Sequence, residues 1–193
     1  MWEELRMNLN TLGLAHRFIE EHVKPGDLCI DATAGKGRDT ALLCRLVGAG
    51  GRVLAFDIQQ DALAQTAALL EREGLAERAE LYLESHIQMK DHAEAASVSC
   101  IVFNFGRLPG GDPQVFTRAD SSVEAVRQGL ELLKPGGVMG LSIYYGGPNG
   151  YDERDALLAL LRSVDDRRYS VLLSEWANRS GEPPLSAFVW KDA

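Results

Sequence analysis

The 193 residues, 46% hydrophobic and 25% charged, have the composition of one ordinary globular domain spanning 1–193, and no apolar run approaches the ~20 residues of a membrane helix. A formal net charge of −8 argues against a broad basic nucleic-acid-binding face, although a small basic patch on one side is compatible with it. Cys29, Cys44 and Cys100 are odd in number and widely spaced inside apolar segments, which excludes a disulfide framework and predicts buried thiols; His16, His22, His86 and His92 show no metal-ligand spacing, so no metal is expected.

The opening "MWEELRMNLN" lacks the basic-then-apolar order of a signal peptide, so a cytoplasmic protein is expected. Residues 11–23, "TLGLAHRFIEEHV", have the spacing of an amphipathic helix closed by Pro25-Gly26. A strand over 27–33, a helix over "GRDTALLCRLVG", a strand over 51–58, a helix over 59–74 and a strand over 78–85 follow. A short helix near 87–94 leads to a strand over 97–104, a glycine-rich loop, a helix over 121–133 and a strand over 136–146. The last quarter reads as a helix over 152–164 and two strands, 169–178 and 185–191, joined by a "RSGEPP" turn that makes them antiparallel. The charge run "DERD" (152–155) reads as the acidic first turn of its helix. This order predicts an α/β, Rossmann-like three-layer fold: a mostly parallel sheet with a C-terminal antiparallel hairpin and helices on both faces. Ligands of such sheets bind beyond the carboxyl ends of the parallel strands.

The first strand runs into "DATAGKGRDT" (31–40), where Gly35 and Gly37 permit a tight turn against a ligand; a plain turn would use the same glycines. The second ends in "FDIQ", with Asp57 placed 22 residues after Gly35, suited to a ribose diol or, alternatively, to capping the next helix. A nicotinamide-binding loop would have its third glycine where Thr40 stands, and Asp31 would repel a pyrophosphate. A carboxylate at Asp31 suits a ligand with a positive amino-acid end, which describes S-adenosylmethionine.

Together "DATAGKGRDT", "FDIQ", "ESH" and "NFGRLPGGD" resemble the bacterial class I methyltransferases grouped as rRNA methylases, over essentially the whole chain. The resemblance implies a seven-stranded methyltransferase fold, S-adenosylmethionine as donor and a homodimer. It places Gly35 and Gly37 around the methionine part of the cofactor, with Lys36, Asp39 and Thr40 in the same loop. Asp57 falls on the ribose, Gln59 beside the adenosine, and Ser85 and His86 at the adenine. Asn104, ending the fourth strand, falls opposite the methyl group, where an amide carbonyl can orient an attacking amine. Around it stand Arg107, Gly110, Gly111 and Asp112, with Tyr144 and Tyr145 able to stack on a flipped base or simply to end a half-buried strand. His16 is a further candidate for the site, its alternative being a solvent-facing helix histidine. Lys36 replaces a common Asn, Arg107 stands where the family often has Tyr, and Tyr145 lies near a usual His.

The family implies N-methylation of the aminomethyl group of 5-aminomethyl-2-thiouridine at the tRNA wobble position, making the tRNA anticodon loop the expected partner. Methylation of rRNA or of a small molecule is the alternative. A nucleotide-dependent oxidoreductase and a catalytically silent S-adenosylmethionine-binding module are the rivals from other classes, opposed by the missing third glycine and by the intact Asn104 loop.

Overall fold

The computed structural model describes residues 10–108, 110, 114–146 and 150–192. Gly111 and Asp112, expected in the acceptor loop, lie outside the described residues. The first helix, α1 (Thr11–His22), starts where the Asn10 side chain accepts the Gly13 N–H at 2.7 Å, satisfying one of the free donors of a helix start. Its buried Phe18 meets the rings of Phe188 and Trp190 at 4.6 and 5.1 Å, which seats the helix on the sheet.

The chain then alternates through β1 (Leu28–Asp31), α2 (Arg38–Val47), β2 (Arg52–Phe56), α3 (Gln60–Glu73), β3 (Ala79–Tyr82) and β4 (Val98–Phe105). It continues through α4 (Ala119–Leu132), β5 (Leu133–Ile143), α5 (Gly150–Ser163), β6 (Tyr169–Ser174) and β7 (Leu185–Lys191). The seven strands form one sheet in the order β3-β2-β1-β4-β5-β7-β6, with β1 to β5 parallel and β7 antiparallel to both β5 and β6.

Side-chain alternation along the central strands builds a core on each face. Ile101, Phe103 and Phe105 point to the α4 and α5 side, joined by Ile30, Phe56 and Leu141, while Cys100 and Val102 point to the other side with Cys29, Val53, Phe18 and Leu43. Cys29, Cys44 and Cys100 are buried free thiols, and burial pushes each above its ordinary range.

Several boundaries differ from the sequence reading. The short helix expected near 87–94 is a 3-10 turn, His86–Asp91, started one residue earlier because Ser85 and Gln88 form a reciprocal cap. Strand β5 begins ahead of Pro135 and stops at Ile143, which leaves Tyr144 and Tyr145 beyond the sheet. Strand β6 ends at Ser174, so the antiparallel pair is joined by residues 175–184 and not by a tight turn. No helix among the described residues is long and apolar enough to cross a membrane.

Candidate active site

The strand order reverses between β1 and β4: from β1 the chain builds outward through β2 and β3, and from β4 outward through β5. A crevice must open where the two connections part. A cleft of about 700 Å³ lies there, walled by the loops after β1, β2 and β4 and closed on the acceptor side by Phe116, Thr117 and Tyr144.

The glycine loop owes its shape to two neighbours. Gly37 adopts φ +76° as the residue before α2, and a Cβ there would come within 2.9 Å of the Thr66 backbone on α3, so only glycine lets the two helices approach. Gly35 donates its N–H to Asp57 Oδ2 at 2.9 Å, while Asp57 Oδ1 accepts the Gln59 N–H at 2.9 Å. Each oxygen of Asp57 thus accepts one backbone N–H and keeps acceptor capacity towards the cleft that Asp57, Gln59, Gly35 and Lys36 line.

Asp31 is placed otherwise than expected. It is completely buried, does not line the cleft, and spends its oxygens on the Thr40 hydroxyl at 2.6 Å and the Thr33 N–H at 3.2 Å. Burial, and then the nearby charge of Asp39, push its carboxyl from 3.8 up to about 7. The physical reason is the tight turn after β1, which folds the first turn of α2 back over the strand end and makes Asp31 and Thr40 an internal pair. Thr40 and Gly37 are buried with it outside the cleft lining, while Asp39 lines the cleft.

Asn104 lines the cleft at the end of β4. Its backbone N–H donates to the Thr33 hydroxyl at 2.7 Å, and its side-chain Nδ2 donates to Asp39 Oδ2 at 2.7 Å, leaving Oδ1 without a protein partner among the described residues. The other oxygen of Asp39 receives His16 Nε2 at 2.6 Å, so the histidine of α1 reaches the site through Asp39 and not by facing the cleft.

Past Asn104, Leu108 sits against Gly35 of the glycine loop. Arg107 and Lys36 are exposed at the cleft mouth, with Gly110 opposite the Lys36 ammonium. Glu153, part of the acidic first turn of α5, is 2% exposed and lines the cleft. It accepts hydrogen bonds from Thr117 Oγ1 at 2.9 Å and Ser122 Oγ at 2.5 Å, and burial holds its carboxyl above the usual range despite both donors. Thr117 in turn accepts the Gly106 N–H at 2.7 Å and donates its own N–H to the Gly106 carbonyl at 2.9 Å. These bonds clasp the two ends of the acceptor loop. Thr117 ahead of α4 and Ser122 in its first turn were the available sequence signal, yet nothing in their spacing points to position 153.

At the third strand, His86 lines the cleft and Ser85 does not, since Ser85 caps the 3-10 turn. His86 is 8% exposed, burial lowers it from 6.5 to about 4, and its buried Nε2 has no partner among the described residues, so the ring is neutral. The tyrosines divide. Tyr144 is 41% exposed and lines the cleft, and burial followed by the Asp39 charge raises its hydroxyl pKa. Tyr145 packs edge-on to Tyr151 at 5.5 Å beneath the Arg154 guanidinium at 4.8 Å, outside the cleft lining.

Residues 53–190 match the family model described as "Putative rRNA methylase". The chain is 37% identical over 187 residues to the chloroplastic tRNA (mnm(5)s(2)U34)-methyltransferase of Arabidopsis thaliana, covering 92% of this chain and 68% of that protein. Among solved structures, a "putative rRNA-methylase" from Clostridium thermocellum superposes with a TM-score of 0.92 at 38% identity, covering 94% of this chain and 97% of the other. A methyltransferase from Streptococcus mutans, solved in complex with SAH, superposes with a TM-score of 0.87 at 30% identity, covering 96% and 99%. With the sheet order, the cleft at its switch point and these likenesses together, the chain belongs to the rRNA methylase family of class I methyltransferases.

Proposed function

We propose that the protein is an S-adenosylmethionine-dependent N-methyltransferase that methylates the aminomethyl group of 5-aminomethyl-(2-thio)uridine at the tRNA wobble position. The observation that carries the reading is the amide of Asn104, a residue that lines the cleft, with Nδ2 tied to Asp39 and Oδ1 without a partner among the described residues. The activity named for the Arabidopsis relative supports the acceptor.

The residues present fit the donor. Asp57 keeps acceptor capacity on each oxygen for a ribose diol, and the neutral ring of His86 gives the cleft an uncharged wall suited to a purine. S-adenosylmethionine supplies a methyl group already activated by its sulfonium, so the chain needs to contribute alignment and exclusion of water. Asn104 Oδ1 accepts an N–H of the neutral amine and turns its lone pair towards the donor side. Leu108 and Phe105 give that side an apolar wall, and Tyr144 offers a ring face to a splayed base. The exposed Lys36, Arg38 and Arg107 at the mouth form no ion pair among the described residues and suit a phosphate backbone on an otherwise acidic chain.

Nucleoside mass spectrometry of tRNA from cells lacking the gene tests the acceptor. Unmethylated 5-aminomethyl-2-thiouridine should accumulate and be converted when the purified protein and S-adenosylmethionine are added. The family description favours rRNA as a second acceptor; an unchanged tRNA profile together with transfer to rRNA from the same cells would select it. The same reading carries a cytoplasmic location and a homodimer, and sedimentation at the mass of one chain would count against the latter.

A further inference from the structure

Three side chains from three elements meet beside the cleft. His16 on α1 lies 23 positions from Asp39 on α2, and Asp39 lies 65 from Asn104 at the end of β4, so only the fold brings them together. A carboxylate can only accept, so both of its neighbours must donate: His16 through Nε2–H at 2.6 Å and Asn104 through Nδ2–H at 2.7 Å. This settles which end of the Asn104 amide faces Asp39, and by exclusion which end is left for the cleft.

Asp39 alone would be a loose anchor, because rotation about the terminal bond of a carboxylate is soft. With one oxygen held from α1 and the other given to Asn104, the plane of the carboxylate is fixed. Among the described residues the charge of Asp39 is felt by Asp31 behind it on β1, by the Cys100 thiol on β4 and by Tyr144 beyond β5. His16 is the basic group that contacts Asp39 directly, and at 29% side-chain exposure it is set into the wall of the protein and not free on its surface.

We propose that His16 is a positioning residue for the transfer step: by holding Asp39 it locks the Asn104 amide with its carbonyl towards the incoming amine. This rests on the N-methyl transfer proposed above. It requires a hydrogen-bond donor at position 16 and no proton carrier, which separates it from a general-base role.

The test compares His16→Ala with His16→Gln, whose amide nitrogen reaches the place of Nε2. In the first, kcat for transfer to tRNA lacking the methyl group should fall roughly 10-fold with the S-adenosylmethionine Kd unchanged, and in the second most of the loss should be recovered. The side-chain amide protons of Asn104, followed by NMR with no acceptor present, should exchange faster in His16→Ala and return towards the native rate in His16→Gln. Adding His16→Ala to Asn104→Ala should cost nothing further, because the two act as a unit. Equal loss in both His16 variants, an additive loss in the double variant, or an unchanged Asn104 amide signal would overturn the inference. If Asn104→Ala is slow and His16→Ala is normal, the His16 role alone falls. A fully active Asn104→Ala overturns the role given to Asn104 and this one with it.

Discussion

Asp57 and Asn104 divide the proposed work so that single substitutions separate them. Asp57→Ala removes a carboxylate that holds Gly35 and Gln59 and would hold the ribose. At about 1.5–3 kcal/mol for hydrogen bonds to a charged group, its Kd for S-adenosylmethionine should rise roughly 10- to 150-fold by calorimetry. Asn104→Ala should leave that Kd in place and lower kcat, and equal effects on both constants would refute the division. Both residues were legible in the sequence because each ends a β-strand whose place in the sheet follows from counting elements. Asp31 was not: its neighbours in sequence match those of a ligand-facing residue, and only the return of α2 over the strand turns it inward to Thr40. Whether a side chain faces a cleft or the packing behind it depends on a few degrees of backbone turn that residue types do not encode.

Among the elements, the segment between β4 and α4 depends on α5, which follows it in the chain. Glu153 closes the loop through Thr117 and Ser122, and Thr117 binds Gly106 twice. Glu153→Ala would take the acceptor from the buried Ser122 hydroxyl and from the half-buried Thr117 hydroxyl, a loss of about 1–3 kcal/mol that urea unfolding reads directly. Because the clasp holds the loop proposed to meet the acceptor, KM for the proposed tRNA substrate should rise in this variant while donor affinity holds; a rise in donor Kd of the same size would argue for general loosening. The helices and strands themselves were readable from periodicity, with β1 to β5 and the antiparallel close all present in order. The clasp was not readable, since it joins positions 31 and 36 residues apart and the acidic run around Glu153 has an equally good local explanation in the helix dipole.

In the whole molecule a buried and a half-buried carboxylate set opposite pH trends. Asp31 titrates near 7 in the folded chain and near 3.8 when exposed, so between those values the native state holds more protons and stability falls as pH rises. Asp31→Asn should therefore flatten that fall, gaining on the parent between about pH 4 and pH 8 in urea unfolding; parallel curves would refute the assignment. Asp27 acts the other way. Burial raises it, but the Ser99 hydroxyl, the Lys134 ammonium and the Lys24 N–H outweigh burial and leave it below 3.8. Its contribution is complete above that value and is lost as pH falls below it. By joining the approach to β1 with β4 and β5, it ties the two halves of the sheet at the end opposite the cleft.

The reversal of strand order at β1 and β4 also bears on how such a protein can change over generations. Most of what is proposed to hold the donor, apart from the neighbouring wall of Leu108 and Phe105, comes from residues before β4, and most of what is proposed to meet the acceptor, apart from Asp39 with its partner His16 and the basic Lys36 and Arg38 at the mouth, comes from β4 onward. Heritable variation in the second half of the chain can thus retune what is methylated while the first half goes on delivering the same methyl group. Within such a lineage, the Asp39–Asn104 bond is the seam across which the two halves must stay compatible.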